Sequence, residues 1–462
     1  MFHAVVLEKH KKILGEDHPD TLFTMSNLEH GVVVWEKQKR ILGEEHPDTL
    51  ITMSDLAFIY QRLGQSIRAE ELGAIALEKR KRILGENHQA TLITMSNLAF
   101  IYQSLGQCIK AEELGTVVLE KRRRILGEEH PETLTTMSDQ AWIYQRLGQS
   151  TKAEELGAVV LEKRKRILGA DHPETLITMN NLAFIYQSLG QCIKAEELGT
   201  VVLEKRRRIL GEEHPETLTT MSDLAWIYQC LGQSTKAEEL GAVVLEKRKR
   251  VLGEDHPETL ITMNNLAFIY QSLGQCIKAE ELGTVVLEKR RRILGEEHPD
   301  TLTTMNDLAW IYQCLGQSTR AEELGAVVLE KRKRILGADH PETLITMNSL
   351  AFIYQCLGQC TRAEELGTVV LEKRRRILGE EHPDTLITMG DLASTYERLG
   401  QLSRAEEFGT VVLEKRRKIL GEDHPHTLWA MKSLHRTYQA SGKLDEAVSL
   451  SLLIENIEGT DN

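Results

Sequence analysis

Eleven of the sixteen histidines fall in one recurring string, His-Pro-acid-Thr-Leu or a variant of it, at His18, His46, His88, His130, His172, His214, His256, His298, His340, His382 and His424. Imidazoles can ligate a metal or relay protons, but a metal centre needs several ligands converging on one point. Here each histidine opens its own segment, which argues against a shared metal site. The seven cysteines (Cys108, Cys192, Cys230, Cys276, Cys314, Cys356 and Cys360) include no Cys-x-x-Cys pair that would suggest zinc or redox chemistry, and they read as reduced thiols. Neither a Gly-x-x-x-x-Gly-Lys-Ser/Thr phosphate loop nor a Gly-x-Ser-x-Gly nucleophile turn is present. Lys-Arg runs such as Lys121-Arg122-Arg123-Arg124 have Glu112, Glu113, Glu120, Glu128 and Glu129 beside them, and read as a solvated helix face with Glu120 and Arg124 at ion-pair spacing. No residue set therefore supports an enzyme, a cofactor or a small-molecule substrate.

The spacing of the histidines says what must position everything else. From His46 onward they recur every 42 residues, and all ten prolines directly follow one of them. Proline is favoured in the first helical turn and unfavourable inside a helix, so each His-Pro marks a helix start. From Pro131, the segment Thr133 to Leu147 reads as one helix ending at Gly148. A second starts near Thr151, where Thr-Lys-Ala-Glu154 has capping-box spacing, and runs to Leu168 before Gly169. Both kinds of helix are amphipathic: Leu92, Met95, Ala99 and Tyr102 share one face, as do Ala111, Leu114, Val118, Ile125 and Leu126. Neither can bury its stripe alone, so neighbouring repeats must stack. The recurrent Ala99 and Gly115 suggest close backbone approach, and Arg122, Arg164 and Arg206 fall within the apolar stripe. Their stems are expected to cover the core while the guanidinium pairs with the next repeat's loop.

Charged residues are 27% and hydrophobic ones 41% of the 462, the balance of a soluble globular chain. No apolar run is long enough to span a membrane, and Met1 to Leu7 lacks the pattern of a secretory signal, so a cytoplasmic location is expected. A net charge of -12 argues against nucleic acid or an anionic membrane as partner.

The strings Asn97-Leu98-Ala99 with Tyr102, Leu105-Gly106, Ala111-Glu112 with Leu114, Leu126-Gly127 and His130-Pro131 resemble the tetratricopeptide repeats of the kinesin light chain type. The resemblance covers nearly the whole chain. It implies an all-α fold, a right-handed superhelical solenoid of antiparallel helix pairs. The same repeat type is similar to the C-terminal arrays of fungal NACHT and NB-ARC receptor-like proteins. The chain is expected to form one helical-repeat array over 1–462, with a partial repeat (1–17), a shortened repeat (18–45), nine full repeats (46–423) and a degenerate capping repeat (424–462). In the shortened repeat a loss of 14 residues, close to four helical turns, predicts one continuous helix from about Thr21 to Leu42. Trp429, Lys432, His435 and Arg436 make the last repeat resemble a polar cap.

Differences between repeats are not scattered. On first helices, Leu92, Met95 and Tyr102 do not vary across complete repeats, whereas Ile93, Asn97, Phe100 and Ser104 become Thr135, Asp139, Trp142 and Arg146 in the next repeat, all within one narrow arc. The resemblance implies that first helices line a concave groove and that this arc faces a ligand. Phe100, Trp142, Phe184, Trp226, Phe268, Trp310 and Phe352 would supply rigid contact area. Between them Asn97, Asp139, Asn181, Asp223, Asn265 and Asp307 could bond a ligand's backbone or its basic groups. In kinesin light chains an asparagine at the Asn97-like position helps clamp peptide; the resemblance carries that role to Asn97, Asn181 and Asn265, while Asp suits a more basic ligand. An aromatic at helical spacing can equally be core, and the Phe/Trp alternation, repeating every 84 residues, also fits drift after duplication of a repeat pair. The expected function is a scaffold for a protein or extended peptide, as the sensor or adaptor part of a larger receptor-like protein. The alternatives are a kinesin-light-chain-like cargo adaptor and a self-associating array.

Overall fold

The computed structural model describes residues 31–62 and 65–460. The leading helices are α1 (Pro47–Arg62), α3 (Gln89–Ser104), α5 (Pro131–Arg146), α7 (Pro173–Ser188), α9 (Pro215–Cys230), α11 (Pro257–Ser272), α13 (Pro299–Cys314), α15 (Pro341–Cys356), α17 (Pro383–Arg398) and α19 (Pro425–Ser441). Each is followed by a trailing helix: α2 (Ser66–Leu84), α4 (Cys108–Leu126), α6 (Ser150–Leu168), α8 (Cys192–Leu210), α10 (Ser234–Leu252), α12 (Cys276–Leu294), α14 (Ser318–Leu336), α16 (Cys360–Leu378), α18 (Leu402–Leu420) and α20 (Leu444–Thr460). Residues 31–41 are helical too, and Trp35 there packs against Leu50 and Met53. The expected helix from Thr21 to Leu42 lies outside the described residues up to position 30, as does the partial repeat 1–17.

Each element of the recurring string has a local task. His172 is the N-cap of α7, its Nδ1 accepting from the Glu174 N–H at 3.2 Å, while Pro173 occupies the first turn, where a missing N–H costs nothing. Thr175 sends its hydroxyl back to the Gly169 carbonyl at 2.8 Å, closing the loop between repeats. At the other end of a leading helix, the Gly148 N–H bonds the Gln145 carbonyl (3.0 Å) and the Gln149 N–H bonds the Tyr144 carbonyl (2.9 Å), a Schellman motif made possible by Gly148 at φ +70. Gln149 is also the N-cap of α6, with no side-chain cap bond, so the capping box expected at Thr151 does not form. The Schellman turn hands the chain over within one residue, and the second helix begins before Thr151 is reached.

Each trailing helix packs between its own leading helix and the next. Leu161 from α6, Leu176, Met179 and Leu182 from α7, and Val202 from α8 form one such cluster. The trailing-helix glycine permits this approach: a Cβ at Gly199 would lie 2.8 Å from Leu224 Cδ2 in the following repeat. Ile125 and Leu126, expected on the packed stripe, are exposed instead, because a trailing helix of 19 residues outruns its 16-residue neighbours by nearly a turn. The stripe arginine is buried. Arg206 donates to the Thr220 hydroxyl (2.7 Å) and the Glu216 carbonyl (3.0 Å) and pairs with the Glu216 carboxylate (3.3 Å), so its guanidinium reaches the first turn of the next leading helix rather than the loop before it. Four cysteines are not free thiols: Cys192 pairs with Cys230 and Cys276 with Cys314, each joining the start of a trailing helix to the end of the next leading helix. The 38-residue separation gives no local signal in the sequence, and stacking alone brings the sulfurs together. Cys108, Cys356 and Cys360 are free.

Leading helices of adjacent repeats also touch one another, which places them on the inner side of the curve. The curve closes on itself. His340 Nε2 lies 3.3 Å from the Ser104 carbonyl and His382 Nε2 lies 3.2 Å from the Arg146 carbonyl, each across 236 residues, so the His-Pro ends of α15 and α17 rest on the far ends of α3 and α5. Because Nδ1 accepts the capping N–H, Nε2 carries the proton and donates to the carbonyl. About six repeats thus complete one superhelical turn, and the second turn sits on the first. At the C-terminal end Leu444, Val448 and Leu452 are exposed along α20, so that end is less polar than Lys432, His435 and Arg436 suggest.

Candidate functional site

Inner-wall side chains form a row of ring pairs. Trp142 meets Phe184 with centroids 5.1 Å apart, Trp226 meets Phe268 at 4.9 Å and Trp310 meets Phe352 at 5.0 Å, while Phe58 and Phe100 lie at 6.2 Å. These rings are not core: Phe100, Phe184 and Phe268 are 45–47% exposed, and Trp142, Trp226 and Trp310 are half-buried. A partly exposed aromatic pair keeps a free face for a guest.

Between the rings stand the amide and carboxylate groups. Asn97, Asn181, Asn265, Asp223 and Asp307 are half-buried, and Asp139 is open to solvent. Asn264 donates to Asp307 (2.8 Å) and Asn180 to Asp223 (2.7 Å), and Asn348 holds Asp391 in the same way at 2.8 Å. Crowding by the concave wall disfavours the charge on these carboxylates. Burial raises Asp223, Asp307 and Asp391 above the usual carboxylate range, against the lowering effect of the asparagine and of buried arginines behind them. Asp139, though its side chain meets solvent, is pushed up to about 6 by partial desolvation inside the concave wall, despite Arg122 and Arg164 nearby.

Two cavities open on this wall. One, of about 420 Å³, is lined by Asn264, Phe268, Asp307 and Trp310, and the other, of about 390 Å³, by Asn97, Phe100, Asp139, Trp142 and Asn181. Ser104 and Arg146 lie apart from both, at the rim where the second turn rests. The Ser104 hydroxyl bonds the Ile101 carbonyl at 2.8 Å, and Arg146 is exposed. Sequence reasoning missed the asparagines that hold the carboxylates, Asn180, Asn264 and Asn348. It also missed Gln140, which is buried where every other complete repeat has leucine, and that single departure was the available signal.

Family models described as tetratricopeptide repeat match residues 48–123, 95–166 and 351–418, and 175–216, 217–258, 259–300 and 301–342. These matches span most of the sequence, and the chain belongs to the tetratricopeptide repeat family. No curated protein matches it. Among solved structures, the nearly identical TPR-like repeats assigned to a kinesin light chain of Podosopora anserina are 31% identical over 45% of this chain and 98% of that one, with a TM-score of 0.41. BtubC (BKLC) from P. vanneervenii is 23% identical over 52% of this chain and 95% of that one, at 0.42. A Rap protein complexed with competence and sporulation factor is 12% identical over 80% of this chain and 98% of that one, at 0.50, a likeness of fold.

Proposed function

We propose that the chain is a non-catalytic scaffold, the cytoplasmic sensor or adaptor part of a larger receptor-like protein, and that its inner wall holds an extended peptide or a segment of another protein. The observation that carries this reading is the row of half-exposed ring pairs, interleaved with amides and carboxylates and backed by cavities. Buried core seldom accepts that mixture, whereas binding surfaces concentrate aromatic anchors within a polar setting. The Rap structure, solved with competence and sporulation factor, shows that a related fold takes a partner of its own. Trp142→Ala combined with Trp226→Ala tests it. Each ring pair contributes roughly 0.5–1.5 kcal/mol beyond burial, so the melting temperature should fall by only a few degrees while capture of peptides from a random display library is lost. A large fall in melting temperature would return the rings to the core and end the reading.

A further inference from the structure

The cavity between α3 and α5 differs from its counterpart between α11 and α13 in three linked ways. In the counterpart, Asp307 is held by Asn264, and Leu308 follows it. In the first cavity the position equivalent to Asn264 is Ser96, which holds nothing, and Asp139 accepts no hydrogen bond from any described residue. Leucine is also replaced there by Gln140, which is 1% exposed. Its Nε2 donates to the Thr116 hydroxyl at 3.3 Å, but its Oε1 has no partner, and neither does the Ser96 hydroxyl or Gln103 Nε2. A buried amide oxygen left unpaired costs about 1–3 kcal/mol, a cost at this position that the leucine of the other complete repeats does not carry. Ser96, Gln103, Asp139 and Gln140 all line the same space, with Phe100 and Trp142 as its walls.

Two unsatisfied oxygens, Gln140 Oε1 and Ser96 Oγ, beside a carboxylate between aromatic faces suit a planar cation, while the Gln103 Nε2 donor is left for a carbonyl of the guest. The protein's own arginines there act on Asp139 only through space and make their bonds elsewhere: Arg122 bonds Thr136 (2.6 Å) and pairs with Glu132 (3.3 Å), and Arg164 bonds Thr178 (2.8 Å) and pairs with Glu174 (3.2 Å). We propose that this cavity is an anchor subsite for one arginine side chain of the guest, its guanidinium donating to Asp139 and stacking on Trp142, and reaching Gln140 Oε1 and Ser96 Oγ once these side chains, their polar atoms sealed from solvent in this structure, rotate toward it. Guanidinium offers five donors in one plane, whereas an ammonium offers three from a point, and arginine stacks on aromatic faces more readily than lysine. The subsite rests on the groove reading above and names the chemistry its guest must carry.

The test uses the whole chain and a random dodecapeptide display library. Asp139→Asn with Gln140→Leu installs the Asn-Leu of the neighbouring repeats, so this variant folds as they do. Peptides selected on the wild type should share an arginine, and replacing it with citrulline should weaken binding at least tenfold on the wild type and under twofold on the variant. Lysine should recover less than a third of the lost affinity. Selected peptides without a shared arginine, or a citrulline penalty equal on both proteins, would overturn the anchor while leaving the groove in place. Capture that survives Trp142→Ala with Trp226→Ala, or no capture at all, would remove the groove and the anchor together.

Discussion

Gly148→Ala and Gly232→Ala alter two glycines with the same backbone conformation, φ +70 in each. An alanine in the left-handed region costs roughly 1–2 kcal/mol, and both variants should lose that much. Beyond this their surroundings differ. A Cβ at Gly148 would lie 2.5 Å from Pro383 Cδ and 3.0 Å from His382 Cδ2, both on the second superhelical turn, whereas one at Gly232 meets nothing within 4 Å. Relief at Gly148 requires the turns to move apart, which breaks the bond from His382 Nε2 to the Arg146 carbonyl, worth about 1 kcal/mol, and loosens the packing around it. The expected gap between the variants is therefore about 1–3 kcal/mol in urea unfolding. Small-angle scattering should show a longer particle for Gly148→Ala alone. If the two variants unfold alike and scatter alike, the turns are not in contact in solution.

Asp139→Asn should raise the melting temperature at neutral pH and leave it unchanged near pH 4. Because the folded carboxyl titrates at about 6, above its unfolded value, its contribution to stability is complete below about pH 4 and is lost as pH rises through 6. The full shift would correspond to ~3 kcal/mol, but solvent screening of this open carboxylate leaves about 1, or ~1 °C for a chain of this length. Calorimetry at both pH values decides, and a gain persisting at pH 4 would contradict the titration. Arg206→Ala should cost about 3–5 kcal/mol, since it leaves a cavity, strips the Thr220 hydroxyl of its donor and leaves the Glu216 carboxylate without its cation, while the Glu216 carbonyl keeps the Thr220 hydroxyl. Arg206→Met should recover about half of that by refilling the space. Equal effects of the two substitutions on urea unfolding would exclude the packing role of the stem.

Repeat phase and helix starts were legible because His-Pro acts locally: a capping nitrogen and a fixed φ need no tertiary partner. The wall was legible for a related reason. Side chains that change size and polarity from repeat to repeat at Phe100, Trp142, Asn97 and Asp139 fit poorly in a core that must meet near-identical neighbours, and Gln140 is the buried exception. Closure of the superhelix was not, because it accumulates from a small rotation per repeat that no residue announces. Ser104 and Arg146 joined the expected groove on helical angle alone, although they sit where the second turn lands. The pairings Cys192–Cys230 and Cys276–Cys314 were hidden for the same reason, since each needs two repeats to be stacked first. At the end of the trailing helix, periodicity continued past the point where a neighbour exists, which is why Ile125 and Leu126 looked buried.

A wall that repeats its rings every second helix pair, at Trp142–Phe184, Trp226–Phe268 and Trp310–Phe352, would offer the proposed guest three nearly equal berths. Degeneracy of that kind adds about 0.6 kcal/mol of mixing entropy to binding, and it also lets a guest slip from one berth to another. Slippage ends wherever one berth differs in chemistry from the rest, much as a single polar residue locks the alignment of two coiled helices. On the proposed reading the odd berth is the one beside Gln140, and a single glutamine there would give an otherwise periodic surface an origin from which position is counted.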